Sequence, residues 1–291
     1  MPTTPDAAST ASLTVVIPVW DDYVRWLPDC ISSIANQRPD APLDILVVDN
    51  ASGTALPALP AGVATTRLPT RVSLGAARNH GLARINTPFV AFADADDLFP
   101  AGYFAFALAR LQARPELVAV GMRPVALDDA TGQERPFAWP TDGAIAASRH
   151  RRRLALRGLL KEPSIVMSGS VFRTSAVREA GGYSDLSYGE DANLALLLPF
   201  LGDIELHTAP NRRYRIHPNS IARRPPTRAT LETSFADARQ RLRSHPAVPL
   251  WAKLLLPAIK RYHDRRIRTA LDGTYGASLL HAPDGSGRSH Q

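Results

Sequence analysis

Short β-rich runs alternate with segments of helical periodicity along the first third of the chain. Four apolar runs, each stopped by proline or by polar turn residues, span residues 13–18, 43–48, 63–68 and 89–93. Between them, residues 23–37 and 74–85 carry apolar side chains at helical spacing. Apolar strands separated by helices are typical of a mostly parallel central sheet with helices on both faces. The pattern therefore predicts an α/β fold, in which ligands bind at the carboxyl ends of the strands.

The second half of the chain is patterned less regularly and ends in a helical appendage. Extended segments are predicted at 117–127, 164–172 and 205–216, an excursion or hairpin at 128–142, and helices at 148–160, 174–180 and 191–201. The helical periodicity that follows is broken near Pro246, Pro249 and Pro257. We expect four parts, namely a flexible N-terminus (1–12), an α/β domain (13–226), the appendage (227–271) and a disordered tail (272–291).

Composition narrows the class of protein. The 291 residues are 45% hydrophobic, which is enough for one sizeable core. The single cysteine, Cys30, excludes a disulfide framework and a cysteine-based zinc site, and we expect it to be a buried apolar residue. The N-terminus lacks the basic and apolar regions of a signal peptide, and no apolar run reaches the roughly 18 residues of a membrane span. We therefore expect a cytoplasmic protein.

The formal net charge is +7, and the basic residues are clustered at 149–153, 212–228 and 261–268. Such clusters can hold phosphates, nucleic acid or an anionic membrane surface, but they are equally typical of solvated faces. A basic nucleic-acid-binding protein is therefore one alternative. It leaves the acidic strand ends unexplained, because these would repel phosphates unless a metal were present.

Three carboxylates crowd the end of the fourth predicted strand, which Asp94, Asp96 and Asp97 follow directly. A divalent cation relieves the repulsion between such carboxylates, and it can bridge a diphosphate and stabilise it as a leaving group. The alternative interpretation is a cap for the helix that begins near Pro100. Because one aspartate suffices for a cap, the pattern favours a site for Mn²⁺ or Mg²⁺.

Two further polar segments lie in the first half of the chain. Asp49 follows the second strand and can accept hydrogen bonds from a base or a ribose, or it can close an Asx turn. Arg78 lies in the small-residue segment 75–81 and can bind a phosphate. The alternative is an exposed arginine on an ordinary alanine-rich helix.

Two polar segments also lie in the second half. Glu190 and Asp191 follow Gly189, and a carboxylate there can act as general base toward an acceptor hydroxyl or can cap the helix that starts here. Arg215 and His217 end the last extended segment, where a histidine can join a metal site or can be structural. The chain has no Walker loop and no GxGxxG after its first strand, which disfavours nucleoside triphosphatases and dinucleotide dehydrogenases.

Taken in order, these segments resemble the family-2 glycosyltransferases of the GT-A fold. Six stretches across residues 13–220 carry the resemblance: VVIPVW at 15–20, VVDNAS at 47–52, GAARNHG at 75–81, DADD at 94–97, the stretch 172–191 with its GGY and GED, and RIHPNS at 215–220. Each motif alone is common, whereas six in this order are specific. The appendage and tail lie outside the resemblance.

The resemblance implies transfer of a sugar from a nucleotide-sugar to an acceptor hydroxyl, with inversion at the anomeric carbon. In that reaction Asp191 would be the base, Asp96 the main ligand of Mn²⁺ or Mg²⁺, and His217 a further ligand. The residues expected to bind the donor nucleotide are Pro18, Asp49, Arg78 and Asp94. Those expected on the acceptor side or in a supporting role are Gly189, Glu190 and Arg215.

The resemblance leaves the substrates open. UDP is its commonest nucleotide and therefore our default, and the acceptor could belong to glycan, glycolipid or natural-product biosynthesis. Asn50 stands where many members have a second aspartate, which weakens any assignment of the nucleobase in the donor. The enzyme alternative is a nucleotide-sugar nucleotidyltransferase, but the residues after the first strand are acidic (Asp21, Asp22) rather than glycine-rich and basic. The sequence makes no prediction of oligomeric state.

The appendage contains an apolar group flanked by cations. The apolar residues are Trp251, Leu254, Leu255, Leu256 and Ile259, and the cations are Lys253, Lys260, Arg261, Arg265, Arg266 and Arg268. This pattern is typical of a helix on an anionic membrane surface, which would suit a lipid-borne acceptor at the inner membrane face. Because Pro257 interrupts a short stripe, we favour the alternative that the apolar face packs on the main domain.

Overall fold

The structure is a computed structural model that describes residues 12–38, 42–137, 139–160, 165–218, 220 and 226–271. The predicted flexible N-terminus, apart from Ser12, and the predicted disordered tail lie outside these ranges. The described residues form an eight-stranded, mostly parallel sheet with helices on both faces. The predicted α/β class is confirmed.

The strands of the sheet are β1 (Leu13–Val19), β2 (Leu43–Asp49), β3 (Val63–Arg67), β4 (Phe89–Phe92), β5 (Leu117–Asp128), β6 (Glu134–Pro136), β7 (Val171–Arg173) and β8 (Asp203–Ile216). Their order is β3-β2-β1-β4-β7-β5-β6, and β8 pairs with β5. Pairs among β1 to β4 are parallel, as is β5 with β8, whereas β6 and β7 run antiparallel to their neighbours. The carboxyl ends of β1, β2 and β4 therefore meet at one edge of the sheet.

The helices are α1 (Leu27–Ala35), α2 (Leu74–Leu82), α3 (Tyr103–Ala113), α4 (Asp142–Ser148), α5 (Arg151–Leu160), α6 (Thr174–Glu179), α7 (Glu190–Leu201), α8 (Arg228–Ser244), α9 (Leu250–Leu254) and α10 (Leu256–Leu271). Alternation along β1 divides them between two cores. Val16 faces a core shared with α2, α5 and α7, whereas Val15 and Ile17 face a core shared with α1 and α3. Cys30 is buried in the second core, as expected.

Three elements differ from the sequence prediction, and one of them is α4, a helix at Asp142–Ser148 where none was predicted. The helix predicted at 23–37 is a 3₁₀ turn (Asp21–Arg25) followed by α1, because Pro28 lacks an N–H and is accommodated only in the first turn of a helix. The strand predicted at 164–172 is limited to β7, and residue 164 lies outside the described ranges. Gly169 has a φ of +80°, which interrupts the extended backbone before β7.

The appendage packs against the main domain. Helix α8 contacts α7, and α10 contacts both α8 and α5. Leu242, Ala252, Leu256 and Ile259 join the core on the α7 side of the sheet. The expectation that the appendage packs on the domain is therefore confirmed for Leu256 and Ile259. No helix in the described part of the chain combines the length and the apolar character that crossing a bilayer requires.

Candidate active site

A cavity of 490 Å³ opens at the carboxyl edge of the sheet. Its walls come from the residues that follow β1 and β4, from α7 and α8, and from the segments after β6 and before β7. The predicted site residues in its lining are Pro18, Arg78, Asp94, Asp96, Gly189, Glu190 and Asp191. The other three, which do not line it, are Asp49, Arg215 and His217. The fold thus brings residues from distant segments of the sequence to one cavity.

Two of the three aspartates after β4 are paired with buried arginines. Asp94 Oδ1 accepts a hydrogen bond of 2.7 Å from Arg78 Nη2, and Arg212 Nη1 lies 3.3 Å from Asp94 Oδ2. Asp97 is fully buried and pairs with Arg212. Burial by itself would raise the pKa of Asp94, but the charges of Arg78 and Arg212 outweigh burial and lower that pKa below its usual value. Asp94 is therefore held as a carboxylate.

Arg212 is the site residue that the sequence did not single out. It is buried, lines the cavity, and lies 4.9 Å from the centre of the Tyr214 ring. In the sequence it is one of many arginines in the cluster 212–228, next to Arg213, which is half exposed and pairs with Glu134. The available signal was alternation along the extended segment, since residues 212 and 214 share one side of β8 and both line the cavity.

Loss of the Arg212 charge is expected to destabilise the fold. Arg212→Met leaves Asp94 and Asp97 without their shared cation, and breaking a buried ion pair costs about 3–5 kcal/mol of unfolding free energy. The matched control Arg213→Met, on the exposed side of β8, is expected to change it by less than about 0.5 kcal/mol. Urea denaturation measures both, and adding Asp97→Asn to Arg212→Met should recover part of the loss. Equal effects of the two methionine variants would show that the buried pairing is unimportant.

Asp96 and His217 form a hydrogen-bonded pair whose carboxylate and imidazole groups are of the kinds that bind divalent metals. Asp96 Oδ2 lies 3.1 Å from His217 Nε2, and both residues are buried. Neighbouring ligand atoms of an octahedral Mg²⁺, each about 2.1 Å from the ion, lie roughly 3 Å apart. Within the described ranges no group of three or more His, Cys, Asp or Glu side chains could hold a metal. Two protein ligands suit an ion that substrate phosphates and water complete, which is the usual binding mode of Mg²⁺.

The surroundings of His217 restrict its ring. The ring centre lies 4.1 Å from that of Trp26 and 5.6 Å from that of Tyr23. The backbone N–H of His217 donates to Ser220 Oγ at 3.2 Å. Arg215, two residues earlier, donates from Nε to the carbonyl oxygen of Asp96 at 2.8 Å. Arg215 thus supports the backbone that carries Asp96, although it does not reach the cavity.

Arg78 connects two acidic segments. Its Nη2 donates to Asp94 Oδ1 at 2.7 Å, its Nη1 donates to Glu190 Oε1 at 3.1 Å, and its side chain is 4% exposed. The guanidinium also lies 5.0 Å from the centre of the Tyr183 ring. The alternative of an exposed arginine on an ordinary helix is therefore wrong.

Small and amide side chains around Arg78 hold α2 in place. At Gly81 a Cβ would lie 2.4 Å from Val16 Cγ1, so the helix reaches the sheet this closely only with glycine. Asn79 Nδ2 donates to the Tyr183 carbonyl oxygen, and Asn79 Oδ1 accepts from the Tyr183 N–H, both at 2.9 Å. The segment 75–81 therefore also positions the chain that leads to Glu190.

Asp49 and Asn50, at the end of β2, make local contacts. Asp49 Oδ1 accepts from the Ser52 N–H at 2.8 Å, three residues on, which fastens the turn after β2, and its other oxygen pairs with Arg67. Asn50 Nδ2 donates to the Val72 carbonyl oxygen and its Oδ1 accepts from the Val72 N–H, both at 3.0 Å. This reciprocal pair needs an amide, because an aspartate could not donate to the carbonyl. It explains physically why asparagine stands at position 50.

Glu190 and Asp191 begin α7 and both line the cavity. Burial and the charge of Asp191 raise the pKa of Glu190 from 4.5 to about 7, against the opposing charge of Arg78. Asp191 Oδ1 accepts a hydrogen bond of 2.7 Å from the N–H of Ala192. The two neighbouring carboxylates thus make different contacts, since Glu190 bonds to Arg78 and Asp191 bonds to the backbone of its own helix.

The raised pKa of Glu190 predicts that the unfolding free energy depends on pH. The unfolded chain releases this proton near pH 4.5 and the folded chain near pH 7, so the folded state binds more protons in between. The stabilisation is complete below pH 4.5 and is lost as the pH rises toward 7. Glu190→Gln removes it, so the unfolding free energy of the wild type minus that of the variant should fall across this window. Denaturation at a series of pH values measures the difference, and a difference that does not vary with pH would contradict the prediction.

The appendage contributes a wall of the cavity. Three residues of α8 line it, namely Ser234, Phe235 and Ala238. Gly189 has a φ of +76°, and a Cβ there would lie 2.2 Å from Ser234 Oγ. Asp237 Oδ2 accepts from Asn193 Nδ2 of α7 at 2.7 Å and from Arg241 Nε at 3.0 Å. Helix α8 is therefore fastened to the start of α7 and is part of the site.

A sequence comparison agrees with this geometry. The family description "Glycosyl transferase family 2" matches residues 14–181, which is more than half of the 291 residues. The chain belongs to glycosyl transferase family 2, and it is a transferase. This membership sets aside the nucleotidyltransferase alternative. No curated protein matches the sequence.

Solved structures show the same fold at low sequence identity. TarS from S. aureus, in complex with UDP-GlcNAc, is 14% identical with a TM-score of 0.64, and the match covers 89% of this chain and 74% of that one. The mannosyltransferase PcManGT from Pyrobaculum calidifontis, in complex with GDP-Man and Mn²⁺, is 18% identical with a TM-score of 0.56, and the match covers 94% and 76% of the two chains. The likeness confirms the predicted GT-A-like α/β architecture.

Proposed function

We propose that this transferase moves a sugar from a nucleotide-sugar to an acceptor hydroxyl, with inversion and with a divalent metal. The observation that carries the proposal is the pair of hydrogen bonds from Arg78 to Asp94 and to Glu190. Asp94 lies beside the pair of Asp96 and His217, where a diphosphate would bind, and Glu190 lies beside Asp191, the proposed general base. Arg78 therefore links the donor side of the cavity to the general base. In the neighbours, TarS binds UDP-GlcNAc and PcManGT binds GDP-Man and Mn²⁺, which supports a nucleotide-sugar donor and a metal.

The donor side would lie at the ends of β1, β2 and β4. Pro18 and Asp94 line the cavity there, and Asp49 ends β2 beside them. Asp96 and His217 are the residues that would hold Mn²⁺ or Mg²⁺, and the chemistry that such an ion supplies is Lewis-acid stabilisation of the leaving diphosphate. UDP remains our default nucleotide. In this arrangement Arg78 orients Asp94 rather than standing free for the donor.

The acceptor side would lie at α7 and α8. Asp191 would take the proton from the acceptor hydroxyl as the oxygen attacks the anomeric carbon from the face opposite the leaving diphosphate, which inverts that carbon. Gly189 lets the backbone approach Ser234 more closely than a residue with a Cβ could, and Glu190 positions Arg78. Aromatic side chains complete the lining, namely Phe137, Trp139, Tyr188, Tyr214 and Phe235. This lining supports an acceptor that presents a ring or another apolar face.

A donor screen tests the proposed function. Nucleoside diphosphate release from UDP-, GDP- and dTDP-sugars is measured with Mn²⁺, with Mg²⁺ and with EDTA. We expect release from one donor class only, and none in EDTA. Full activity in EDTA would exclude the metal, and inactivity with every donor would contradict the proposed reaction.

The predicted cytoplasmic location stays a prediction.

A further inference from the structure

Part of the apolar group in the appendage, together with the neighbouring Leu250, is left uncovered. Leu250 and Leu254 of α9 are 71% and 70% exposed, and Trp251 is 39% exposed. The buried residues of the same region, Leu256 and Ile259, turn to the core instead. The sequence presented packing and membrane contact as alternatives, whereas the structure divides the apolar residues between an inner and an outer side. Leu250, Trp251 and Leu254 are called the α9 patch below.

The α9 patch lies beside a basic helix end. The Trp251 ring centre is 6.2 Å from that of Phe200, and Arg151 of α5 donates from Nε to the carbonyl oxygen of Pro199 at 2.7 Å and also to that of Phe200. Phe200 thus joins α9 to the start of α5. The side chains exposed at that start are Arg149, His150, Arg151, Arg152 and Arg153.

Both segments are free of acidic residues in the sequence. No Asp or Glu occurs at 143–161 or at 238–263. Lys253 lies on α9 itself, and Lys260 and Arg261 follow on α10. An exposed apolar patch that includes a tryptophan and carries cations on its own and neighbouring segments matches the two layers of an anionic bilayer, which are apolar chains beneath charged headgroups.

We propose that the α9 patch and the arginines at the start of α5 dock this protein on an anionic lipid bilayer. Leu250, Trp251 and Leu254 enter the boundary of the acyl chains, and the α5 arginines bind headgroups. The arginine side of the docking surface is close to the cavity, because about 9 Å of helix separates Arg152 from Gly158, which lines the cavity. If the protein has the proposed function, a docking surface at this location suits an acceptor hydroxyl that is carried on a lipid.

Vesicle co-sedimentation of the full chain tests the docking. The vesicles contain phosphatidylcholine alone or phosphatidylcholine with phosphatidylglycerol, at low and high salt. We expect binding to the anionic vesicles only, weakening as salt rises. Leu250→Ser with Leu254→Ser should weaken it about 100-fold, and Arg152→Gln with Arg153→Gln should weaken binding at low salt and reduce its salt dependence.

The controls use exposed residues away from the patch. Phe106→Ser changes an aromatic residue that is 39% exposed on α3, across the sheet, and Arg84→Gln changes an exposed arginine at the end of α2. Both should bind vesicles like the wild type, and all variants should keep the wild-type unfolding midpoint. Equal binding of the double leucine variant, equal binding to neutral vesicles, or retention by a DNA duplex with no vesicle binding at low salt would each overturn the proposal. The assay needs no donor, so a protein that binds vesicles but releases no nucleoside diphosphate would contradict the proposed function alone.

Discussion

Asp191→Asn is expected to reduce turnover by about 10²–10⁴-fold while the affinity for the donor stays unchanged. Asparagine keeps the size of the side chain and can still accept the 2.7 Å hydrogen bond from the Ala192 N–H. It cannot take a proton from the acceptor. The loss should therefore appear in kcat, measured by nucleoside diphosphate release with a saturating acceptor, and not in the Kd of the donor measured by calorimetry.

Glu190→Gln is the matched control for the base. Glutamine can still accept the hydrogen bond from Arg78, so the link to Asp94 is kept. We expect this variant to retain turnover within about tenfold of the wild type. If Asp191→Asn turned over normally and Glu190→Gln did not, then Glu190 would be the base and the assignment of Asp191 would be wrong.

Asp96→Ala is expected to lose turnover by about 10³-fold or more, together with metal-dependent binding of the nucleoside diphosphate. The variant removes the carboxylate that lies 3.1 Å from His217 Nε2, whereas Asp94 and Asp97 keep their arginine partners. The fold should therefore persist. Calorimetric titration of UDP with and without Mn²⁺ measures the binding, and circular dichroism checks the fold.

Asp29→Ala is the control for the metal prediction. Asp29 is exposed in the first turn of α1, on the face of the sheet that carries the second core. The Asp29→Ala variant should bind UDP with Mn²⁺ as the wild type does. Wild-type binding of UDP that is the same in Mn²⁺ and in EDTA would show that Asp96 holds no ion, and the role of His217 would then be structural.

Local pattern was sufficient for most of the fold. The runs at 13–18, 43–48 and 89–93 are β1, β2 and β4 within a residue or so at each end. They could be predicted because a buried parallel strand must be apolar on both faces. The strand predicted at 164–172 failed because Gly169, with its φ of +80°, interrupts an otherwise apolar run. A glycine in a run reveals neither its φ nor the bend that follows from it.

The candidate site was only partly predictable, because local pattern does not show which distant residues come into contact. Residues that directly follow strands, such as Asp94 and Asp96, were found because the carboxyl edge of a parallel sheet collects ligands. Arg212 was missed because its importance depends on its contact with Asp97, which is 115 residues away in the chain. The α8 wall was missed because no motif in the appendage indicates which side of the domain it covers.

By itself, the sequence determined the α/β class, the family and the acidic strand ends, since these depend on neighbouring residues and on their order along the chain. Only the tertiary structure decided how the charges pair. Asp94 and Asp97 share Arg212, whereas Asp96 meets His217 across 121 residues of chain. The reason is that β8 pairs with β5, on the far side from the strands that carry the acids, and that Arg213 near its end forms a bridge with Leu98, just after those acids. Hydrophobic periodicity specifies which face of a strand is buried, but it does not specify which distant strand end will lie beside it.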